Sequence, residues 1–421
     1  MDSFRNQAIK ILQDNDRGNF TIPTNRLYPF QWNWDTAFTA LGVSYFDDYR
    51  AWKEIKTLLN SQWKDGMIPH IVFHTDDIDY FPGPKEWKVN SEPPTSGHSQ
   101  PPILSSIVWE LINRRRSNNK EQLKLIFKKL FKYHKWYINN RDPNQTGLIS
   151  IVHPWESGRD NSIDWDIGLD NIKIPGDLGQ YKRRDTVHVD KSERPTKEHY
   201  DKYMSIVKFG RDISWDHLKI YNDGPFLMSD PGVQFILLRS SKDLLKISKY
   251  LHLDNYISEI NIWIERLTKG CEKLWNKNIN AFSAIDTRTG VYSDAITSAS
   301  FLCFYAGVGS SKQTSHMLEH LNRFVSYANY GLPSLDPIHK KFDPKCYWRG
   351  PSWAIMNYLI AKGTLENKKD AISKKIISTT VNAIELSGFA EYFDPINGRG
   401  LGGNSFSWTA AMYLEFLNTK I

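Results

Sequence analysis

Apolar residues recur at helical spacing along most of the chain. Leu123, Phe127, Leu130, Phe131, His134 and Ile138 share one face of one segment, and Leu244, Leu245, Ile247, Tyr250 and Leu251 share one face of another, the mark of amphipathic helices. Strand-like alternation is scarce. The pattern predicts helices at roughly 3–14, 34–46, 49–63, 100–116, 121–140, 231–250, 254–276, 293–306, 312–326, 350–363, 367–387 and 405–418, about twelve in all. They differ in character. The segments starting at roughly 34, 100, 231, 293, 350 and 405 are apolar and aromatic nearly all round, as helices buried on every side would be. Others, such as roughly 121–140 and 367–387, carry Lys and Glu on one face and belong outside.

Six inner and six outer segments predict an all-α fold, an (α/α)6 barrel whose inner helices surround a funnel, in a single domain spanning residues 1–421. One gap between inner helices is about double the others. That stretch, about 141–230, is rich in Gly, Pro, Asp and Arg and lacks sustained periodicity, so it reads as an excursion over one rim; a shorter insertion at about 73–99 crosses the same rim. Long loops without regular structure are usually functional or disordered. The aromatic stretch from Trp155 to Trp165 favours function.

Composition narrows the function classes. A chain of 421 residues with 40% hydrophobic and 24% charged residues is an ordinary globular protein, neither disordered nor membrane-spanning. Its 15 Trp and 20 Tyr supply many flat surfaces for stacking, although a large aromatic core would use most of them. The net charge of +7 is spread, with only short clusters such as Arg114-Arg115-Arg116, so no nucleic-acid-binding arm is expected, while a small anionic substrate could be steered inward. Cys271, Cys303 and Cys346 form no CxxC pair and suit free thiols in a reducing cytoplasm. No apolar signal-peptide core is visible near the start. His70, His74, His98 and His153 form no metal-binding spacing on a helix, and Asp76, Asp77 and Asp79 lack the rest of a calcium loop. Neither a metal nor another cofactor is expected.

Two acid-bearing motifs remain. The first is His153-Pro154-Trp155-Glu156-Ser157-Gly158-Arg159-Asp160-Asn161-Ser162, and the second is Glu391-Tyr392-Phe393-Asp394-Pro395, followed by glycines and Phe406-Ser407-Trp408. A carboxyl set against Trp155 or Trp165 and close to Glu156 and Asp164 would hold its proton near neutral pH, as a catalytic acid must. Asp160 suits that role and, equally well on these residues alone, the cap of a short helix near Ser162. Glu391 precedes glycines that let backbone approach a ligand, but taken alone it reads as a surface residue before a turn. Trp34 and Asp35 in Gln31-Trp32-Asn33-Trp34-Asp35 and the run Tyr347-Trp348-Arg349-Gly350-Pro351-Ser352-Trp353 open two inner helices. Rings and a guanidinium at a helix mouth make a sugar platform and a hydroxyl or anion clamp; helix capping and a packed corner compete.

Joined in order, QWNWD, the Gly97-His98-Ser99-Gln100-Pro101-Pro102 turn, HPWESGRDNS, YWRGPSW and EYFDP with its FSW tail resemble glycoside hydrolase family 63. The resemblance covers about residues 30–415. Within the family the chain looks most like the compact bacterial enzymes acting on mannosylglycerate and glucosylglycerate, and more distantly like trehalases. It implies an (α/α)6 barrel and inverting hydrolysis, with Asp160 matching the general acid and Glu391 the general base, their carboxyls about 6.5–9.5 Å apart. It implies that Asp35, Gln100, Tyr347, Trp348, Arg349 and Trp353 line the sugar pocket, and Trp34, Trp155 and Glu156 join them as candidates. Ile163-Asp164 stands where many relatives have Pro-Arg, which bears on the substrate. For an anionic aglycone, Arg211 in the rim insertion is the candidate carboxylate clamp. The expected partner is a small carbohydrate, glucosylglycerate or mannosylglycerate first and a neutral trehalose-like glucoside second. A membrane and nucleic acid are not expected, and a homo-oligomer is compatible with the sequence. An epimerase on the same barrel, which would need paired histidines in the pocket, and an inactive sugar-binding module are the readings from other classes.

Overall fold

The structure is a computed structural model that describes residues 2–77, 79–114 and 119–419. Arg115 and Arg116 of the basic cluster, and the predicted end of the second inner helix, fall outside the described residues.

Among the described residues, six helices form a closed inner ring: Asn33–Val43, Leu104–Arg114, Pro231–Tyr250, Leu302–Ala306, Ala354–Glu366 and Ser407–Asn418. Each packs against the next, and the last returns to pack against the first. Their sequences explain the position. All eleven residues of Asn33–Val43 are buried, so this helix has no face to offer to water. The outer helices Asp2–Asp14, Asp48–Asn60, Lys120–Arg141, Ile257–Glu272, Ser311–Tyr327 and Asp370–Ser387 bury one stripe each and turn most of their charged residues outward, Glu54, buried against Arg50, being an exception. The (α/α)6 barrel follows directly from that alternation.

Several inner helices start later than the periodicity predicts, for a local reason each time. Pro101 and Pro102 withhold donors, so the second begins at Leu104. The fifth begins at Ala354 because Ser352 exchanges backbone hydrogen bonds with Phe393 at 2.8 and 3.0 Å. The fourth is a 3-10 turn, Ser298–Phe301, running into one short helix; Thr297 before it is bridged to Leu335 in extended conformation.

The stretch 141–230 contains more regular structure than its sequence shows. Lys197–Asp212 is a sixteen-residue helix, and His217–Asp223 is a shorter one. Thr196 caps the former by accepting from the His199 N–H, a standard start. Abundant Lys, Glu and Asp mask its apolar stripe, in which Tyr203, Met204 and Val207 are buried. Short strands tie the rim together: Ser150–Ile151 pairs antiparallel with Met228–Ser229, and Gln31–Trp32 with Ile71–Val72.

Ring closure requires close helix approach. A Cβ on Gly42 would lie 2.4 Å from both Cα and Cβ of Ala411 on the sixth inner helix. Below the contact, Arg114 of the second inner helix pairs with Glu415 of the sixth at 2.5 Å. Gly42→Ala is therefore expected to force the first and sixth helices apart and to lower stability by about 1–3 kcal/mol, the usual scale of overpacking. Urea unfolding checks it, and an unchanged midpoint would contradict this account of the seam.

Candidate active site

The motif segments precede the inner helices, so their side chains gather at one end of the barrel, where helix N-termini favour negative charge. The cavity there is lined by Trp34, Asp35, Gln100, Trp155, Gly158, Asp160, Tyr347 and Glu391, by Tyr28, Tyr80, Tyr200, Tyr203 and Trp408, and by Arg184, Asp185 and Arg194. Local structure aims each group. Asp35 sits in the first turn of the first inner helix. Gln100 accepts the Trp34 N–H at 3.1 Å, and Tyr133 and Tyr137 donate to its carbonyl. The 3-10 turn Pro154–Ser157 ends on Gly158 at φ +67. A Cβ there would meet the Trp34 ring at 2.5 Å, so glycine is what lets the acid-bearing loop lie against the first inner helix.

Two carboxyls in the cavity, Asp35 and Asp160, carry no side-chain ion pair among the described residues. Burial pushes Asp160 up to about 7; Arg194 opposes and Glu391 reinforces that shift. Burial also holds Asp35 well above the usual carboxylate range, with Glu391 and Asp160 adding to it. Glu391 is treated differently. Its oxygens accept from Arg194 Nη2 at 2.5 Å, from the Gly403 N–H at 2.9 Å and from the Tyr28 hydroxyl at 3.1 Å. The Arg194 guanidinium lies over the rings of Tyr347 and Tyr392, and its Nε is buried with no hydrogen-bond partner. One cavity thus holds a carboxyl that burial raises to about 7 and a second carboxyl held in place by three donor groups.

Not every candidate lies in the wall. Trp348 and Trp353 stand behind it, stacked on one another at 3.8 Å and 3°, with Trp353 also stacked on Tyr392. Arg349 pairs with Asp166 at 2.5 Å and donates to the Asn161 carbonyl, so its charge is spent on the acid loop. Glu156 is fully buried against Arg141 at 2.5 Å and accepts the Val152 N–H; it holds the loop. Arg211 is displaced from its expected role: it pairs with its neighbour Asp212 at 3.4 Å at the C-terminal end of the helix Lys197–Asp212 and does not line the cavity. Arg184 and Arg194 are the cations that do. No periodicity or motif marks them in the sequence, because both come from the irregular part of the insertion. Tyr28 was equally hidden, just ahead of the first recognisable motif.

A model of the mannosylglycerate hydrolase MGH1-like glycoside hydrolase domain matches residues 28–409. A mannosylglycerate hydrolase of Thermus thermophilus is 41% identical, with 97% of this chain and 99% of that protein covered. A glucosylglycerate hydrolase of Mycolicibacterium hassiacum is 31% identical, over 98% and 97% of the two chains. The crystal structure of a family 63 mannosylglycerate hydrolase from Thermus thermophilus in complex with Tris and D-glycerate superposes with a TM-score of 0.95 at 40% identity, covering 99% of this chain and all of that one (100%).

The raised Asp160 has a consequence for stability. Between its ordinary value of 3.8 and about 7, the unfolded chain has released a proton that the folded chain keeps. Stability therefore falls as pH rises through that window. Asp160→Asn removes the effect, so it is expected to melt above the wild type at pH 8, with the advantage shrinking toward pH 4. Thermal melts across this range check it; an advantage constant with pH would contradict the shift.

Proposed function

The chain belongs to the mannosylglycerate hydrolase MGH1-like glycoside hydrolase family, and from that premise we propose inverting hydrolysis of a small α-glycoside with an acidic aglycone, glucosylglycerate or mannosylglycerate. The observation that carries the reading is the meeting of Asp160, held protonated, and Glu391, gripped by three donors, in one cavity.

In this mechanism Asp160 protonates the glycosidic oxygen as the bond to the anomeric carbon breaks and its electron pair leaves with the aglycone. Glu391 accepts a proton from a water whose oxygen bonds to that carbon from the opposite face. An α-glycoside thus yields a β-configured sugar. Asp35 is left to grip sugar hydroxyls, and Trp34, Trp155 and Trp408 give the apolar faces against which a pyranose stacks. Arg184, at the same cavity, offers the positive charge that a glycerate carboxylate needs, in place of Arg211. Relatives named for both glycosylglycerates support this substrate class over a trehalose-like disaccharide. The isomerase reading lacks its histidine pair, since among the described residues His70 is the one histidine of the cavity wall, and burial holds it well below its usual range. The three free cysteines support a reducing cytoplasmic setting, and no helix among the described residues is long and apolar enough to cross a membrane.

Asp160→Asn and Glu391→Gln should each lower kcat by about 10²–10⁴-fold, the range of general acid–base catalysis, with folding retained. Proton NMR of the first-formed sugar should show the β-anomer; an α-anomer would sink the inverting mechanism. In a panel of glucosylglycerate, mannosylglycerate and trehalose, the acidic glycosides should give the higher kcat/KM. Arg184→Ala should raise KM for them, and Arg211→Ala should leave it unchanged. Equal turnover of trehalose would overturn the acidic-aglycone assignment.

A further inference from the structure

The residue before Arg194 makes contacts that the cavity itself does not require. Glu193 is buried at 6% exposure in the rim insertion and does not line the cavity. Its Oε2 accepts the Gly402 N–H at 3.0 Å, while its carbonyl accepts the Tyr392 hydroxyl at 2.9 Å. Its one cationic neighbour among the described residues, Arg399, is 3.7 Å away and largely exposed. A buried carboxylate is costly to desolvate, so what it holds in place matters.

What it holds is the turn that clasps Glu391. Gly402 stands at φ +70, and a Cβ there would lie 2.4 Å from Glu391 Oε2, so this backbone packs directly on the carboxylate. The next residue, Gly403, donates its N–H to that same oxygen at 2.9 Å and accepts the Glu391 N–H at 2.7 Å. A shift of the Gly402 peptide would carry the Gly403 donor with it. Glu193 and Arg194 thus grip one carboxylate by two routes, Arg194 directly and Glu193 through the turn behind it. Both belong to the insertion, and the turn belongs to the connection into the sixth inner helix.

We propose that Glu193 is a positioning residue for the general base: by anchoring the Gly402 N–H it fixes the Gly403 donor on Glu391 and keeps that carboxylate aimed. The inference rests on Glu391 being the base. Loss of a donor to a carboxylate raises its pKa, and a base works only when ionised. The low-pH limb of the rate profile must therefore move to higher pH when Glu193 is removed.

The test uses the full chain and glucosylglycerate or mannosylglycerate, whichever is turned over faster. Glu193→Ala is expected to lower kcat about tenfold, the effect of one charge-assisted hydrogen bond. KM should stay within about twofold, since the lost contact is not to substrate, and the low-pH limb of kcat/KM should shift upward. Glu193→Gln keeps an acceptor for Gly402 and should restore most of kcat and the original limb. If Glu193→Ala fails to fold, Glu193→Asp, which retracts the acceptor, reads the same limb. An unmoved limb in Glu193→Ala or Glu193→Asp, or a Glu193→Gln as impaired as Glu193→Ala, overturns the proposal. Glu391→Gln separates the two levels: if it retains turnover, the base assignment itself falls; if it is inactive while the limb stays fixed, only the role of Glu193 falls.

Discussion

The ion pair between Arg194 and Glu391 is the interaction on which the site depends. Asp35, Asp160, Asp185 and Glu391 share one cavity, where burial raises Asp35 and Asp160 and Glu391 adds to both shifts. Arg194 pairs with Glu391 at 2.5 Å, while Asp35 and Asp160 carry no side-chain ion pair among the described residues. The positive charge of Arg194 pulls Asp160 down more than Glu391 pushes it up, so burial is what keeps Asp160 raised. A buried pair of this kind is weak evidence for stability; here it holds the Glu391 carboxylate in one orientation.

That arrangement explains why the barrel and the insertion are both needed. The inner ring supplies rigid N-termini that carry Asp35 and the backbone around Glu391. Trp408, on the sixth inner helix, donates to the Glu391 carbonyl at 3.1 Å, and Thr409 to the Ala390 carbonyl at 2.6 Å. The insertion supplies the counter-charge and covers the cavity. It is tied to the smaller rim segment by Arg184 with Asp77 at 2.5 Å and by Phe81 stacked on Tyr181 at 4.5 Å. The frame thus brings Asp35 and Glu391 to the cavity, and the excursion brings Asp160, Arg184 and Arg194.

The sequence revealed these parts unequally, for physical reasons. Helical periodicity marks a helix buried on one stripe, and a continuous apolar run marks one buried on every side, so the barrel was legible from segments such as 121–140 and 350–363. Asp160 and Glu391 were ambiguous from their flanking glycines and rings alone and stood out through the ordered set of motifs to which they belong. Arg194 was not: its work is done across the fold, on a residue about two hundred positions away, and an isolated Glu-Arg-Pro has no periodicity to mark it. The helix Lys197–Asp212 was masked by the charges on its outer face. Trp348, Trp353, Arg349 and Glu156 belong to site-bearing motifs, but a motif marks a neighbourhood and does not say which side of the wall a side chain occupies.

The residues behind the wall account for how the segments carrying Asp160 and Glu391 are held relative to one another. Trp348 donates its backbone N–H to Asn161 Oδ1 at 2.9 Å, one residue from Asp160. Its ring stacks on Trp353, and Trp353 stacks on Tyr392 at 4.5 Å and 26°, one residue from Glu391. Arg349 fastens the same loop from beneath, through the Asn161 carbonyl and Asp166. A column of rings therefore joins the loop carrying Asp160 to the segment carrying Glu391. Stacked aromatic rings close-packed in an interior resist compression and shear, so the column holds the Asp160 loop and the Glu391 segment in a fixed relation to one another. Trp348 and Trp353 act from behind the cavity wall, as the packing between two wall segments.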